Sequence, residues 1–528
     1  MRQSVLFSAH KLDVIAQSTW AEMLLVVGLF VLALTIRLPN LMLIPRYTDE
    51  GQEVLWALNI ARGNALPLTA ADPYDGPLFA YMVAGLLRVF GTSTEIPRLM
   101  IAVIGALTVP ATYWVGQLMW NRGAGLIGAA LTLVSPLLVV FSSHHGWSSA
   151  LVPFFAIMTL GTLYAGVVKQ QSSLFALSGL MAAFTLQTHP TSGVALIGML
   201  IWFLSRADAR QWLRRPAPYA ALGLYLLGYA PMIVANLRLD SSLPSVLGQR
   251  DYAFVPTLNP LEYAQRMIVL LRVGGFYIGG GIGSGTLPLR LTAMVMEILL
   301  LASLVLAWRR DTRLIPIEFI TTIILLPVFV VSDSYRYYVY LIPMAYIVVG
   351  IFAARALSYL WDTRSKIARA PLVHRVAQIA AGLLILTYAA YPVVTISDYY
   401  RDATANGQTN EGYFRIENIL RTNGACDSVF VERLPPLLTQ SPYMATVFAL
   451  NTMDYVLTLD NCAHSTQTLL ALQQSLAETD KESWLIIPSE SMVVFSSQFD
   501  LTLIADYSAP EFESSFASIG LYRVRPRR

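Results

Sequence analysis

The sequence predicts a polytopic α-helical membrane protein of about eleven transmembrane helices, followed by a small C-terminal α/β domain outside the membrane. Three observations predict it. Hydrophobic residues make up 55% of the 528 and charged residues only 13%, far from the balance of a soluble domain. Apolar stretches of about 17 to 25 residues, the length that crosses roughly 30 Å of hydrocarbon, recur between short charged breaks. The Lys and Arg residues of those breaks gather in every second loop, as the positive-inside rule requires.

The first apolar stretch decides the start of the chain. Met1 to Trp20 carries few charges and runs into Glu22 to Leu38 without a small-residue cleavage site, so a retained first helix is expected. The predicted spans are 22–38, 97–118, 123–142, 148–167, 171–188, 190–205, 217–236, 288–308, 314–331, 337–353 and 376–394. Pro77 to Gly91 is too short to cross and suits an interfacial or re-entrant helix. With the N-terminus in the cytoplasm, inner loops collect Arg122, Lys169, the group Arg206, Arg210, Arg214 and Arg215, then Arg309, Arg310 and Arg313. The last inner loop adds Arg355, Arg364, Lys366, Arg369 and Arg375, whereas the short outer turns at 143–147 and 189 hold no Lys or Arg. Counting Pro77 to Gly91 as a span would put all these clusters outside.

This topology makes 1–396 a transmembrane domain with outer loops 39–97 and 237–287, and places 397–528 outside the cell membrane. From Ser397 the pattern changes. Glu411 to Leu420 reads as an amphipathic helix, followed by the short apolar runs Ser428–Val431, Tyr455–Leu459, Trp484–Ile487, Leu501–Ile504 and Ile519–Val524. Both cysteines, Cys426 and Cys462, fall there, and one structural disulfide fits an extracytoplasmic location. There is no internal repeat, no low-complexity tract and no heptad pattern. Nor does any basic run interleaved with aromatics point to nucleic acid.

The chemistry gathers on the outer face. Arg46-Tyr47-Thr48-Asp49-Glu50-Gly51 follows the first span, and adjacent carboxylates at a membrane boundary need a cation, a metal or a substrate. The same residues would also serve as the N-terminal turn of an amphipathic helix, Gly51 to Arg62, whose dipole favours acids. Of six histidines, His144, His145 and His189 sit at outer ends of spans, suited to proton transfer or ligation, or to anchoring the interface. No HExxH spacing and no phosphate loop with lysine occurs, and Gly279-Gly280-Gly281-Ile282-Gly283 lacks the strand-to-helix setting such loops need. Guanidinium groups bind phosphate oxygens bidentately, which makes the outer arginines, among them Arg98 and Arg336, candidates for a lipid phosphate. Arg336 stands at a helix entrance in Asp333-Ser334-Tyr335-Arg336-Tyr337-Tyr338, where snorkelling in an aromatic belt is the alternative.

In this order the pieces resemble the polytopic glycosyltransferases of the C-type fold, the superfamily of protein O-mannosyltransferases and aminoarabinose transferases. The resemblance rests on Thr48-Asp49-Glu50, on Asp75-Gly76-Pro77-Leu78-Phe79-Ala80-Tyr81 with Phe90-Gly91, and on Pro97-Arg98-Leu99. It continues through Ser135-Pro136, Phe141-Ser142-Ser143 and Arg336-Tyr337-Tyr338 to Leu341-Ile342-Pro343, and covers about residues 20–355. It implies a sugar donor on a polyprenyl phosphate, with Asp49 as catalytic base and Glu50 beside it. A carboxylate that takes a proton from an acceptor hydroxyl while arginine holds the leaving phosphate is consistent chemistry. His144, His145, His189, Arg98, Arg336 and Tyr337 are then the expected substrate-binding residues.

Two departures stand out. Many relatives place a basic residue or a second proline just before the position of Pro77, where this chain has Gly76, and some offer an acid or arginine where it has His144 and His145. A divalent cation is permitted by carboxylates and histidines on one face, not demanded. The competing classes are a transporter or flippase of lipid-linked sugars and a membrane-anchored binding protein. Transporters usually carry paired halves and broken helices, neither of which the sequence shows.

Overall fold

The computed structural model describes residues 19–44, 48–70, 74–238, 256–278, 281, 287–308, 311–330, 335–363, 391, 393–405, 411–425, 428–432, 450, 453–454, 456–458, 462, 464–467, 474, 483–512 and 515–526. Up to residue 405 the described secondary structure is helical apart from a single bridge residue, Val330. The helices that shape it are α1 (Thr19–Arg37), α2 (Thr48–Ala61), α3 (Leu78–Phe90), α4 (Ile96–Met119), α5 (Arg122–Val134) and α6 (Pro136–His144). They continue as α7 (Val152–Val168), α8 (Ser172–Thr188), α9 (Gly193–Leu204), α10 (Pro216–Gly228) and α11 (Ala230–Arg238). Then come α12 (Pro260–Ile278), α13 (Leu287–Leu306), α14 (Leu314–Phe329) and α15 (Leu341–Thr363). Each predicted apolar stretch but one coincides with a helix or a bent pair of helices; the exception, 376–394, lies almost wholly outside the described residues.

Three of these segments, Trp20–Arg37, Ile96–Met119 and Ser148–Val168, are long and apolar enough to cross a membrane singly, and up to five when each bent pair counts as one. The two breaks correct the expectation of unbroken helices. α5 and α6 meet at 56° and α10 and α11 at 59°, with Pro136 and Pro231 just past the breaks, where a missing N–H and ring clash end the preceding helix. Pro77 to Gly91 folds as the short helix expected, α3, closed by Gly91 at φ 86°. Segment 237–287 holds a helix that apolar pattern did not mark, α12, because Glu262, Arg266 and Arg272 interrupt its apolar face.

Small residues set the helix contacts. A Cβ on Gly116 of α4 would lie 2.8 Å from Gly125 Cα of α5, and one on Gly350 of α15 would lie 2.5 Å from the Ala124 carbonyl oxygen. Backbones approach this closely where packing, not water exclusion, drives association. On α1 the large side chains Leu24, Val27, Val31 and Leu32 stay exposed, as on a lipid-facing surface.

Beyond residue 405 a helix α16 (Glu411–Thr422) packs on a five-stranded sheet of order β2-β1-β3-β5-β4. Its strands are β1 (Val429–Glu432), β2 (His464–Gln467), β3 (Ser483–Pro488), β4 (Phe499–Phe512) and β5 (Ser515–Pro526). β1 runs parallel to β2 and β3, while β5 joins antiparallel between β3 and β4. The run Tyr455–Leu459 is helical at 456–458, and β2 comes from a polar stretch that hydrophobic pattern does not reveal. Cys462 is buried and disulfide-bonded; Cys426, the other cysteine of the sequence, lies outside the described residues.

Candidate active site

The acidic N-terminal turn of α2 lies at the heart of a buried polar network. Thr48 opens the helix, so the expected start at Gly51 shifts three residues upstream and Asp49 and Glu50 fall inside the first turn. The Asp49 side chain lies outside the described residues. Glu50 is fully buried and accepts two parallel hydrogen bonds from Arg98, Nε to Oε1 at 2.9 Å and Nη2 to Oε2 at 3.0 Å. Arg98 stands in the first turn of α4, just after Pro97, whose fixed φ suits a helix start. Its Nη1 also donates to the carbonyls of Leu41 at 2.9 Å and Ile44 at 2.8 Å. One guanidinium therefore ties the chain after α1 and the start of α2 to α4. Arg98 was expected to meet substrate; a phosphate contact would require this pair to open.

One turn further along α2, buried Glu53 accepts from the Ser148 backbone N–H at 2.8 Å and from the Ser148 hydroxyl at 2.9 Å. Ser148 opens the 3₁₀ turn that leads into α7, so this carboxylate sits at the positive end of that helix. The same hydroxyl lies 3.3 Å from Asp75 Oδ2, another buried acid. Because one hydroxyl donates only one proton, Glu53 and Asp75 share it.

Asp75 is positioned by the turn ahead of α3. The Gly76 N–H donates to the Gln187 carbonyl at 2.8 Å, and the Leu78 N–H to the Gln187 side-chain oxygen at 3.1 Å. A Cβ on Gly76 would overlap Gln187 at 2.5 Å, which gives that glycine a packing reason.

The histidines line the other side of the cluster. His144 ends α6 fully buried; its Nδ1 faces the Leu41 carbonyl at 3.3 Å and its Nε2 the Tyr400 hydroxyl at 2.6 Å. A carbonyl can only accept, so the proton sits on Nδ1 and Nε2 accepts from Tyr400. Burial pushes the Tyr400 phenol up to about 12. His145 packs, tilted, between Phe141 and Trp147, at 5.2 Å from each ring, and its imidazole is pushed down to about 3 by burial and secondarily by the Arg98 charge. Both rings are thus neutral hydrogen-bonding groups, not cations. Gly146 follows, and a Cβ there would lie 2.8 Å from Glu50 Oε1, so the turn after α6 rests directly on the Glu50 carboxylate.

From Trp147 the cluster runs to the last predicted residues. The Arg336 guanidinium lies 5.9 Å from the Trp147 ring and 5.2 Å from the Tyr337 ring, and its Nη2 donates to the Tyr337 hydroxyl at 3.2 Å. Tyr337 in turn packs 5.5 Å from His189. His189 caps the turn after α8 with Nδ1 accepting from Thr191, and burial followed by the Arg336 charge holds it well below its ordinary value. Glu50, Arg98, His144, His145, His189, Arg336 and Tyr337 thus come together in one connected set. Sequence reasoning missed Glu53, Ser148, Trp147, Gln187 and Tyr400; only Glu53, one turn from Glu50 on the same helix, carried a local signal. Among the described residues no group of three or more His, Cys, Asp or Glu side chains is placed to hold a metal ion.

Comparison with known proteins addresses the fold. Residues 73–234, under half of the chain, match the family described as dolichyl-phosphate-mannose-protein mannosyltransferase. The structure is similar to that of ArnT from Cupriavidus metallidurans bound to undecaprenyl phosphate, with a TM-score of 0.62 at 12% identity over 96% of this chain and 98% of that one. ArnT of the same organism in the apo state gives 0.60 at 12% identity, over 94% and 97%. The Archaeoglobus fulgidus oligosaccharyltransferase in its apo form gives 0.48 at 12% identity, over 90% and 70%, too loose a likeness to argue from. No curated protein matches in sequence. The resemblance to polytopic C-type-fold glycosyltransferases read from residues 20–355 therefore holds, in the family match within it and in the fold shared with ArnT along nearly the whole chain.

Proposed function

We propose that this protein transfers a sugar from a polyprenyl-phosphate-linked donor to an acceptor at the extracytoplasmic face of the cell membrane. The observation that carries the proposal is the bidentate Glu50–Arg98 pair at the start of α2. With Glu50 neutralised by Arg98, Asp49 is the member of the acidic pair left for chemistry, and in this reading it is the base that takes the acceptor's proton. Glu50 then positions α2, and Arg98 acts through Glu50. Arg336, only partly buried and braced by Trp147 and Tyr337, is the arginine assigned to the donor phosphate. His145 and His189, held neutral, contribute hydrogen bonds to substrate rather than charge, while His144, whose two ring nitrogens meet Leu41 and Tyr400, would meet substrate only by giving up one of those bonds.

The rest of the reading follows the sequence. About eleven spans lie in 1–396 with outer loops 39–97 and 237–287, the N-terminus is cytoplasmic, and 397–528 form the outer α/β domain. ArnT was solved with undecaprenyl phosphate, and a polyprenyl phosphate is the class of donor carrier proposed here. The acceptor is a protein, lipid or glycan. The bent pairs α5/α6 and α10/α11 are the specific feature that favours the alternative, a flippase of lipid-linked sugars, because transporters use broken helices. Reconstitution in proteoliposomes with a polyprenyl-phosphate sugar separates the two. Sugar appearing on an acceptor supports transfer; lipid translocation without transfer rejects it.

A further inference from the structure

An apolar groove lies at the opposite end of the helices from the acidic cluster. α9 starts beside His189 and runs away from it to Leu204; α14 ends shortly before Tyr335–Tyr337, so its start, Leu314, is likewise remote. Between them opens an apolar groove of about 280 Å³ walled by Ile201, Trp308, Ile317, Ile320, Ile324 and Leu325. Ile201, Trp308, Ile320 and Ile324 are each 46 to 55% exposed there, an apolar strip that water would not favour.

A basic residue stands at the start of one wall of the groove. Arg313 precedes α14, and Ile317, Ile320 and Ile324 follow it at helical spacing, so the guanidinium and the strip share one face. Arg313 reaches across to Ser205, one turn beyond Ile201 on α9, and donates Nη2 to its carbonyl at 3.2 Å and its hydroxyl at 3.3 Å. Nearby Arg206 is offset by Asp208 at 2.9 Å and Asp311 at 3.6 Å. Arg313 makes no ion pair among the described residues. Aromatic rings and arginines concentrate at this end, with Arg206 over Trp202 at 5.3 Å and Arg215 over Trp212 at 4.3 Å, the composition of a membrane–water interface.

We infer that this groove holds one acyl chain of an anionic phospholipid whose phosphate is bound by Arg313. The hydrocarbon covers the Ile201–Ile320–Ile324 strip, and the phosphate supplies the negative partner for the Arg313 guanidinium. A basic residue beside an apolar cleft between spanning helices selects for charge as well as chain. The inference rests on the membrane reading of the chain and not on sugar transfer; its readout is lipid retention, so the two fail separately.

The test is native mass spectrometry of the full-length protein purified in detergent, incubated with equal phosphatidylglycerol and phosphatidylcholine. The expected result is an about fivefold preference for phosphatidylglycerol, the attraction of one basic residue. Arg313→Gln should bring the preference to parity, Arg313→Lys should keep most of it, and Ile320→Trp, which fills the groove, should reduce retention of both lipids. Equal retention of the two lipids by the native chain overturns the inference. So does a preference that survives Arg313→Gln, or a mass showing a second protein chain in place of lipid.

Discussion

Glu50 and Arg98 form a bidentate ion pair in which neither side chain reaches solvent. Breaking such a pair strands a charge in a desolvated site, whereas removing both charges together costs far less. Glu50→Leu and Arg98→Met should each lower stability by about 3–5 kcal/mol. The double variant Glu50→Leu with Arg98→Met should recover much of that loss. Thermal unfolding in detergent measures all three, and a double variant as unstable as the sum of the singles would remove the pair as an explanation.

Asp49 should behave oppositely. Asp49→Asn should leave the unfolding midpoint close to that of the native chain and lower sugar transfer by roughly 10²–10⁴, the contribution of a positioned base. The contrast between neighbouring acids is the informative part. If Glu50→Gln retained its fold and lost the same activity while Asp49→Asn remained active, the assigned roles would have to be exchanged.

Gly146 supplies a steric prediction. A methyl group there would sit 2.8 Å from Glu50 Oε1 and 3.0 Å from Cδ, closer than atoms tolerate. Gly146→Ala should therefore destabilise by about 1–3 kcal/mol, as overpacking does. Its effect should shrink in a Glu50→Ala background, where the obstructing carboxylate is gone. Equal costs in both backgrounds would show that Gly146 is needed for some other reason.

The neutral histidines set an acid limit. In the unfolded chain an imidazole takes a proton near pH 6.5, whereas folded His145 resists until about 3 and His189 is also held low by burial and by Arg336. Between those values the unfolded state binds more protons, so stability rises with pH there and falls as the solution is acidified from 6.5. His145→Asn should flatten part of that decline. Unfolding midpoints measured from pH 7 down to about pH 4.5 check it, and parallel curves for the two proteins would exclude His145 as a source of the slope.

How much of this was legible follows from the range over which the signals act. The helices were read well because an apolar run of span length is a local property, and α3 was placed because length alone set it apart. Ser135-Pro136 was visible as a motif, but the 56° turn it produces depends on the packing of α5 and α6, which no window of sequence contains. The site was half legible. Asp49, Glu50 and the histidines were marked by rarity and position, yet the partner of Glu50 lies 48 residues away and that of Glu53 lies 95 away. Arg98 was expected to meet substrate, but its engagement with Glu50 is a tertiary fact. Ser148 and Gln187 are ordinary polar residues whose importance comes only from what folds against them.

Tyr400 gives the prediction that reaches furthest from the membrane core. It belongs to the helical residues 393–405, which lead towards the sheet, yet its hydroxyl donates to His144 Nε2 at 2.6 Å, 256 positions apart in sequence. Tyr400→Phe would leave a buried imidazole nitrogen unsatisfied, a cost of about 1–3 kcal/mol, while His144→Phe would strand the phenol in the same way. Because each single change removes the same bond, the double variant should cost less than the two together, with a coupling of about 0.5–3 kcal/mol. The same cycle run on sugar transfer asks whether the segment leading to the C-terminal sheet tunes the site. Coupling in stability alone would make Tyr400 a tether, and coupling in rate as well would make it a positioning residue for His144. Strict additivity in both would detach Tyr400 from the site altogether.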